Sequence, residues 1–160
     1  MNTKRTLIMI TCIISVGLLS HFSLSQESIS GEQDIPELMK IASKKFDMGS
    51  QDAVILFDGV RYHWSENNRL TRFVHRITWI NSSIGIRHYA DFPVPYDSER
   101  QIFRSMALRT WRDGQWWETD TAGIVETLPS AVRSAYDYAS LREMMMLHIG
   151  IELPCILEEA

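Results

Sequence analysis

From Asp52 onward, the sequence alternates β-forming runs with turn signals. Val54 to Trp64 is rich in β-branched and aromatic residues, Ser65 to Asn68 is a turn cluster, and Leu70 to Asn81 is a second β-forming run. Apolar runs of this length with polar turns between them predict antiparallel strands. The sequence therefore predicts a mainly β domain, and we expect an immunoglobulin-like antiparallel β-sandwich with a short N-terminal helix.

The run from Leu70 to Asn81 separates its side chains into two sets. One face carries Phe73, His75, Ile77 and Trp79, and the other carries Arg72, Arg76 and Thr78. This period of two predicts a half-buried strand with the core on one side and water on the other. His75 lies on the apolar face, where we expect a backbone group to satisfy its ring nitrogen.

Two later runs are predicted as strands. Ser82-Ser83 and Gly85 break the chain before a strand over Ile86 to Val94. Pro93 and Pro95 limit ladder hydrogen bonding, so that strand is expected at a sheet edge. The last strand is predicted over Leu141 to Ile149.

Asp113-Gly114 lies between two β-rich runs and predicts a tight hairpin, because both central residues of a primed turn need positive φ. Trp111, Trp116 and Trp117 flank it. Adjacent Trp116 and Trp117 point to opposite faces of a strand, so at most one of them is core. An exposed tryptophan here can stack on a sugar or anchor a peptide. The alternative is cross-strand packing with Trp111.

The N-terminus has the order of a secretory signal peptide. Lys4 and Arg5 precede an apolar run from Leu7 to Leu19, which is shorter than the roughly 20 residues that span a bilayer. Small residues in Ser23-Leu24-Ser25 predict cleavage before Gln26. We therefore expect a signal peptide over 1–25, an exported product in the periplasm or outside the cell, and no stable membrane span after cleavage.

Residues 26–50 are predicted as a polar lead-in followed by a short helix, and residues 51–160 as the β-sandwich domain. The helix is expected from Pro36 to Phe46, with Asp34 as its cap. Leu38 and Ile41 recur at helical spacing and would cover part of the sheet.

The sequence contains few candidates for a nucleic-acid-binding, metal-binding or catalytic site. The formal net charge is −4 and no basic stripe is present, which argues against nucleic acid as a partner. The histidines outside the leader lack the close pairing of zinc sites, so no metal and no cofactor is predicted; they are His63, His75, His88 and His148. Cys155 is the single cysteine after the leader, which excludes an intramolecular disulfide and leaves a Cys155-dependent hydrolase or acyltransferase as the remaining catalytic alternative.

Several segments resemble one bacterial family in order along the chain. They are Asp52 to Phe57, Arg72 to Ile77, Tyr89, Pro95 to Asp97, Arg109-Thr110 and Ser140 to Glu143. Together they resemble the domain-of-unknown-function family DUF3857. The resemblance implies an immunoglobulin-like, non-catalytic accessory or scaffold module of secreted proteins, which usually precedes a transglutaminase-like domain.

The same resemblance implies a downstream transglutaminase-like domain or another envelope protein as partner. The catalytic cysteine, histidine and aspartate of that domain have no counterpart here. The segment Ile151 to Cys155 departs from the family pattern. We therefore expect a sandwich that is incomplete at the C-terminus and leaves the edge of Leu141 to Ile149 open.

Overall fold

The structure is a computed structural model that describes residues 33–138 and 140–160. In these ranges the chain is mainly β. The strands are β1 (Ala53–Trp64), β2 (Leu70–Ile80), β3 (Asp91–Asp97), β4 (Leu108–Arg112), β5 (Gln115–Glu118), β6 (Ile124–Thr127), β7 (Leu141–Leu147) and β8 (Cys155–Glu159). The predicted leader and the mature N-terminus at Gln26 lie outside the described residues.

The strands form two antiparallel sheets. Sheet A has the order β1-β2-β8-β4-β5, and sheet B has the order β3-β7-β6. Short 3-10 helices occur at Met48–Ser50, Thr121–Gly123 and Ser130–Tyr138. The prediction of a mainly β chain with antiparallel sheets is confirmed.

Helix α1 (Ile35–Lys45) covers one face of sheet A, close to the predicted bounds. The Asp34 side chain caps it by accepting a hydrogen bond from the backbone N–H of Glu37 at 3.1 Å. Ile35 and Ala42 are buried and belong to one apolar cluster with Val54, Ile77, Trp79 and Ile156. Capping and an apolar helix face therefore act together to place α1 on the sheet.

The β4–β5 hairpin forms as predicted. Asp113 and Gly114 have φ values of 52° and 78°, the left-handed conformation that a tight turn requires. The register then sets Trp111 directly opposite Trp116. The two tryptophans thus share one face of sheet A.

Strand β2 is buried on both faces where it pairs with β8. Ile77 and Trp79 face α1 as expected. On the other face Thr78 is 1% exposed, and Ile80 packs with Ala90 and other residues of a second apolar cluster. The prediction of water on this face is wrong at this end of the strand, because a second layer of structure covers it.

The predicted strand over Ile86 to Val94 is wrong in its first half, where the chain forms helix α2 (Ser83–Tyr89). The Ser82 hydroxyl caps this helix by accepting from the N–H groups of Ile84 and Gly85. Gly85 also lies against the backbone of Asp52, where a Cβ would come within 2.4 Å of the carbonyl oxygen. The serine cap and this close approach account for a helix where the sequence indicated a break.

Strand β3 begins at Asp91 and pairs with β7 alone, so the edge position predicted from Pro93 and Pro95 is confirmed. The described residues contain no helix that is both long and apolar enough to cross a membrane.

The prediction that Leu141 to Ile149 is the last strand is also wrong. Strand β7 ends at Leu147 and pairs with β3 on one side and β6 on the other, so neither of its edges is open. Strand β8 follows it and occupies the centre of sheet A, between β2 and β4. The expected gap beside β7 is therefore not present.

Candidate functional site

The three tryptophans of the β4–β5 hairpin occupy both faces of sheet A. The Trp111 and Trp116 rings pack edge to face, with centroids 5.2 Å apart and an interplanar angle of 69°. Both are partly buried against the cluster beneath α1. Trp117 points to the opposite face and is 41% exposed. The prediction that at most one of the adjacent pair is core is confirmed.

An arginine covers each tryptophan of that adjacent pair. The guanidinium carbon of Arg109 lies 4.2 Å from the Trp116 ring centroid, and that of Arg112 lies 4.5 Å from the Trp117 centroid. Arg112 also forms an ion pair with Glu152. A cation held over an aromatic face is attracted by the ring quadrupole, so both indole rings are held in place.

A shallow groove of about 310 Å³ lies between the start of α1 and the hairpin. Its walls include Ile35, Pro36, Met39, Trp79, Trp111 and Pro154. These side chains are apolar, and Arg112, Asp113 and Cys155 also line the groove, so it can accept an apolar group beside one positively and one negatively charged side chain.

The strongest electrostatic feature is buried at the end of β8. Glu158 is 4% exposed, and its Oε1 atom lies 2.8 Å from His75 Nε2. Arg109 Nε donates a hydrogen bond to Glu158 Oε2 at 2.6 Å. The partner of His75 is therefore this carboxylate, which corrects the expectation of a backbone group.

Opposing effects determine the protonation of this network. Burial by itself raises the pKa of Glu158, but hydrogen bonds and charge from His75 and Arg109 outweigh it and hold the pKa below its usual value. Burial lowers the pKa of Arg109, but the bond to Glu158 outweighs that effect and raises it. Glu158 is therefore ionised at neutral pH and satisfied on both oxygens.

Glu159, the residue after Glu158, also contacts a buried histidine, on the other face of sheet A. Glu159 Oε2 lies 3.3 Å from His148 Nε2, and both side chains are almost completely buried. His148 Nδ1 has no hydrogen-bond partner among the described residues. Two consecutive glutamates thus each bind a histidine, on opposite sides of one strand; His75 is 83 positions and His148 is 11 positions away in sequence.

A buried histidine bound to a carboxylate can orient a proton acceptor, but catalysis also needs a nucleophile within reach. Cys155 is 3% exposed. Burial raises the pKa of its thiol to about 11, although the positive charge of Arg112 acts in the opposite direction. A thiol with this pKa is protonated at neutral pH and is a weak nucleophile.

The other two histidines of the described residues, His63 and His88, are on the surface. His63 lies exposed in β1 and His88 lies exposed in α2. Within residues 33–138 and 140–160, no group of three or more histidine, cysteine or acidic side chains could hold a metal ion.

Glu158 and Glu159 are the site residues that sequence reasoning missed. They form the end of a short β-forming run, Cys155-Ile156-Leu157, that follows Pro154. That run is the signal that could have identified them, because a strand placed there forces the two carboxylates onto opposite faces.

The comparisons with known proteins agree with this architecture. The model of the family described as "Domain of Unknown Function with solved-structure structure (DUF3857)" matches residues 66–160. A crystal structure described as that of a "putative protease" from Parabacteroides distasonis ATCC 8503 is similar, with a TM-score of 0.63 and 19% sequence identity. The match covers 68% of this chain and 22% of that chain, and at this identity it speaks for the fold alone. No curated protein matches the chain.

Proposed function

The chain belongs to the domain-of-unknown-function family DUF3857, and from this premise we propose that it is a non-catalytic accessory module that positions or recognises another polypeptide. One observation carries the proposal. The groups that could perform chemistry are internal, and Glu158 is satisfied on both oxygens by His75 and Arg109. Groups held in this way stabilise a fold and are not accessible to a substrate.

A modular role is supported by the size of the similar protein, of which the match covers 22%. We propose that the chain serves as one module beside a larger partner, such as the transglutaminase-like domain or envelope protein that the family resemblance implied.

We also propose that its two sheets pack as an immunoglobulin-like sandwich. In support, the Arg76 guanidinium of sheet A lies 5.1 Å from the ring centroid of Phe92 in sheet B.

Export to the periplasm or the cell exterior is the proposed location, resting on the order of Lys4, Arg5 and the apolar run from Leu7 to Leu19. We expect the exported protein to begin at Gln26. Intact-mass measurement of protein recovered from the cell envelope and medium checks this. An uncleaved leader, or a lipid attached to Cys12, would contradict it.

Reaction of the thiol tests the catalytic alternative. We expect Cys155 in the folded protein to react with iodoacetamide much more slowly than a free cysteine peptide at pH 7, because the thiol is buried and its pKa is raised to about 11. Mass spectrometry over time measures the rate, and urea-unfolded protein gives the rate of the exposed thiol. Faster alkylation of the folded protein than of the peptide would favour a Cys155 hydrolase or acyltransferase.

A second candidate function is carbohydrate or peptide binding at the hairpin, favoured by the exposed Trp117 beneath Arg112. If the hairpin binds, Trp117→Ala should abolish binding on a glycan or peptide array while the thermal midpoint changes little. Trp116→Ala is the matched comparison. It removes a ring packed against Trp111 and Arg109, so it should destabilise the fold by about 3 kcal/mol. Unchanged array binding by Trp117→Ala would exclude this surface.

A further inference from the structure

The outer edge of β1 differs from the other sheet edges among the described residues. Strands β5 and β6 have 4 residues each, and β3 carries two prolines. Strand β1 has 12 residues without proline. Its register shift lies between Ile55 and Phe57, so the pairing with β2 is regular from Asp58 to Trp64. A long, regular edge without these protective features is a template for another strand.

The exposed part of this edge belongs to a projecting hairpin. Strand β2 pairs with β8 from Arg76 to Ile80, whereas its pairing with β1 continues to Leu70. Residues 60–74 therefore extend beyond the neighbouring strand as a two-stranded ribbon, here called the arm; the next residue, His75, is buried and bound to Glu158. A two-stranded ribbon is marginally stable in water without further packing.

One face of the arm is mostly apolar and open to solvent. Val60, Tyr62 and Trp64 follow one another on this face and are 50%, 62% and 64% exposed. Leu70 pairs directly with Trp64 and is 52% exposed, and the exposed Arg72 pairs with Tyr62 and so lies on the same face. Exposed apolar surface with tyrosine, tryptophan and an arginine beside them is typical of protein contact sites.

The charges of the arm indicate the chemistry of its partner. Arg61 and His63 alternate with the apolar residues and point to the opposite face of β1. Arg69 and Arg72 add further positive charge, and the one acidic residue from Gly59 to Arg72 is Glu66 in the turn. The arm is therefore locally basic in a chain whose formal net charge is −4.

We propose that the β1 edge of the arm binds an extended acidic segment of a partner protein, in which carboxylates alternate with apolar residues. The segment adds to β1 as a strand. Its apolar side chains lie beside Val60, Tyr62 and Trp64, and its carboxylates lie beside Arg61 and His63. This inference rests on the proposed partner-directed function and names the surface and the class of partner.

Two other occupants fit the arm less well. If the β1 edges of two copies paired, the arginine and histidine side chains of both would share one face, and like charges across a strand pair are destabilising. A sugar stacks on aromatic rings, but aliphatic Val60 and Leu70 offer it neither a π-face nor a hydrogen bond.

The test uses two soluble synthetic peptides, one alternating glutamate with valine and one alternating lysine with valine. We expect the glutamate peptide to bind more tightly in calorimetry, and its affinity to fall with added salt. The double variant Tyr62→Thr/Trp64→Thr should weaken binding by roughly tenfold or more. Val125→Thr, at an exposed apolar residue of edge strand β6 in the other sheet, is the control and should bind as the parent does.

Two further measurements keep the proposal falsifiable if the double variant misfolds. Arg61→Glu should reverse the preference between the peptides. Strand addition should also slow hydrogen exchange at β1 amides and leave those of β5 unchanged. Equal binding of both peptides, no exchange protection in β1, or dimerisation through β1 without peptide would overturn the proposal. The alkylation of Cys155 does not depend on peptide binding. If the arm binds no acidic peptide, the non-catalytic function is therefore still tested separately by the alkylation experiment.

Discussion

Replacing Glu158 by alanine is expected to lower the free energy of unfolding by about 3 to 5 kcal/mol. The carboxylate binds His75, which is 1% exposed, and Arg109 through separate oxygens. Removing it leaves a part-buried arginine charge and a buried imidazole without this partner, and the desolvation of the two groups is then less well compensated. Urea unfolding at neutral pH, followed by tryptophan fluorescence, measures the change.

Glu118→Ala is the matched control for this variant. Glu118 contacts the same arginine, with Arg109 Nη1 3.5 Å from Glu118 Oε1, but its side chain is 65% exposed. Water screens the interaction, so we expect a loss below about 1 kcal/mol. Equal losses for the two variants would mean that Glu158 is not buried in the way described.

The same carboxylate predicts how stability depends on pH. The pKa of Glu158 is lower in the folded protein than its ordinary value because His75 and Arg109 favour the ionised form. The unfolded state then takes up the proton more readily. The contribution to stability is complete above the unfolded-state pKa of about 4.3 and is lost as the pH falls through the lower folded-state pKa. Glu158→Gln, which cannot titrate, should show a flatter stability profile between neutral and acid pH, measured by urea unfolding across that range.

The sequence correctly predicted the structural features that depend on interactions between residues close in sequence. Asp34 caps α1, and the Asp113-Gly114 pair forms the hairpin turn, both through interactions between residues close in sequence. The opposite orientations of Trp116 and Trp117 likewise follow from the strand period alone. These features needed no knowledge of which segments pack together.

The missed elements depend on contacts between distant segments. Glu158 and Glu159 are charged residues in a short run, and a sequence pattern assigns such residues to solvent. The partners of Glu158 are far away in sequence, since His75 is 83 positions and Arg109 is 49 positions from it. The partner of Glu159, His148, is 11 positions away and lies beyond β7 on the preceding connection. The second face of β2 is covered by the segment around Ala90, which directly follows β2 and was predicted as a strand where the chain forms α2.

The sequence identified some residues of the candidate site but not the contacts between them. The hairpin tryptophans were identified as candidate contacts, yet the arginines that hold their rings were not, because Arg109 and Arg112 reach them through strand pairing. The exposed aromatic face of the arm was also missed. A period-two pattern reports that Tyr62 and Trp64 share a face, but exposure depends on where the neighbouring strand ends.

Leu157→Ala is expected to destabilise the protein by about 2 to 5 kcal/mol. Leu157 is 0% exposed at the centre of sheet A, where it lies between Thr78 of β2 and Thr110 of β4 in register. Truncation removes apolar contacts with Ile80 and Ala90 and leaves a cavity that two flanking strands prevent from collapsing. Thermal and urea unfolding of the variant measure the loss.

Leu70→Ala controls for the chemistry of the substitution, because Leu70 also lies in a strand but is 52% exposed. On folding, Leu70 transfers less apolar surface out of water than Leu157 does, and its truncation creates no enclosed cavity. The expected loss in the free energy of unfolding is therefore below about 1 kcal/mol. A large difference between the two leucines would show that Leu157 is in the core, as the position of β8 at the centre of sheet A requires. Similar small losses would mean that the segment after Pro154 is not part of the core, and the network around Glu158 would then lose its structural basis.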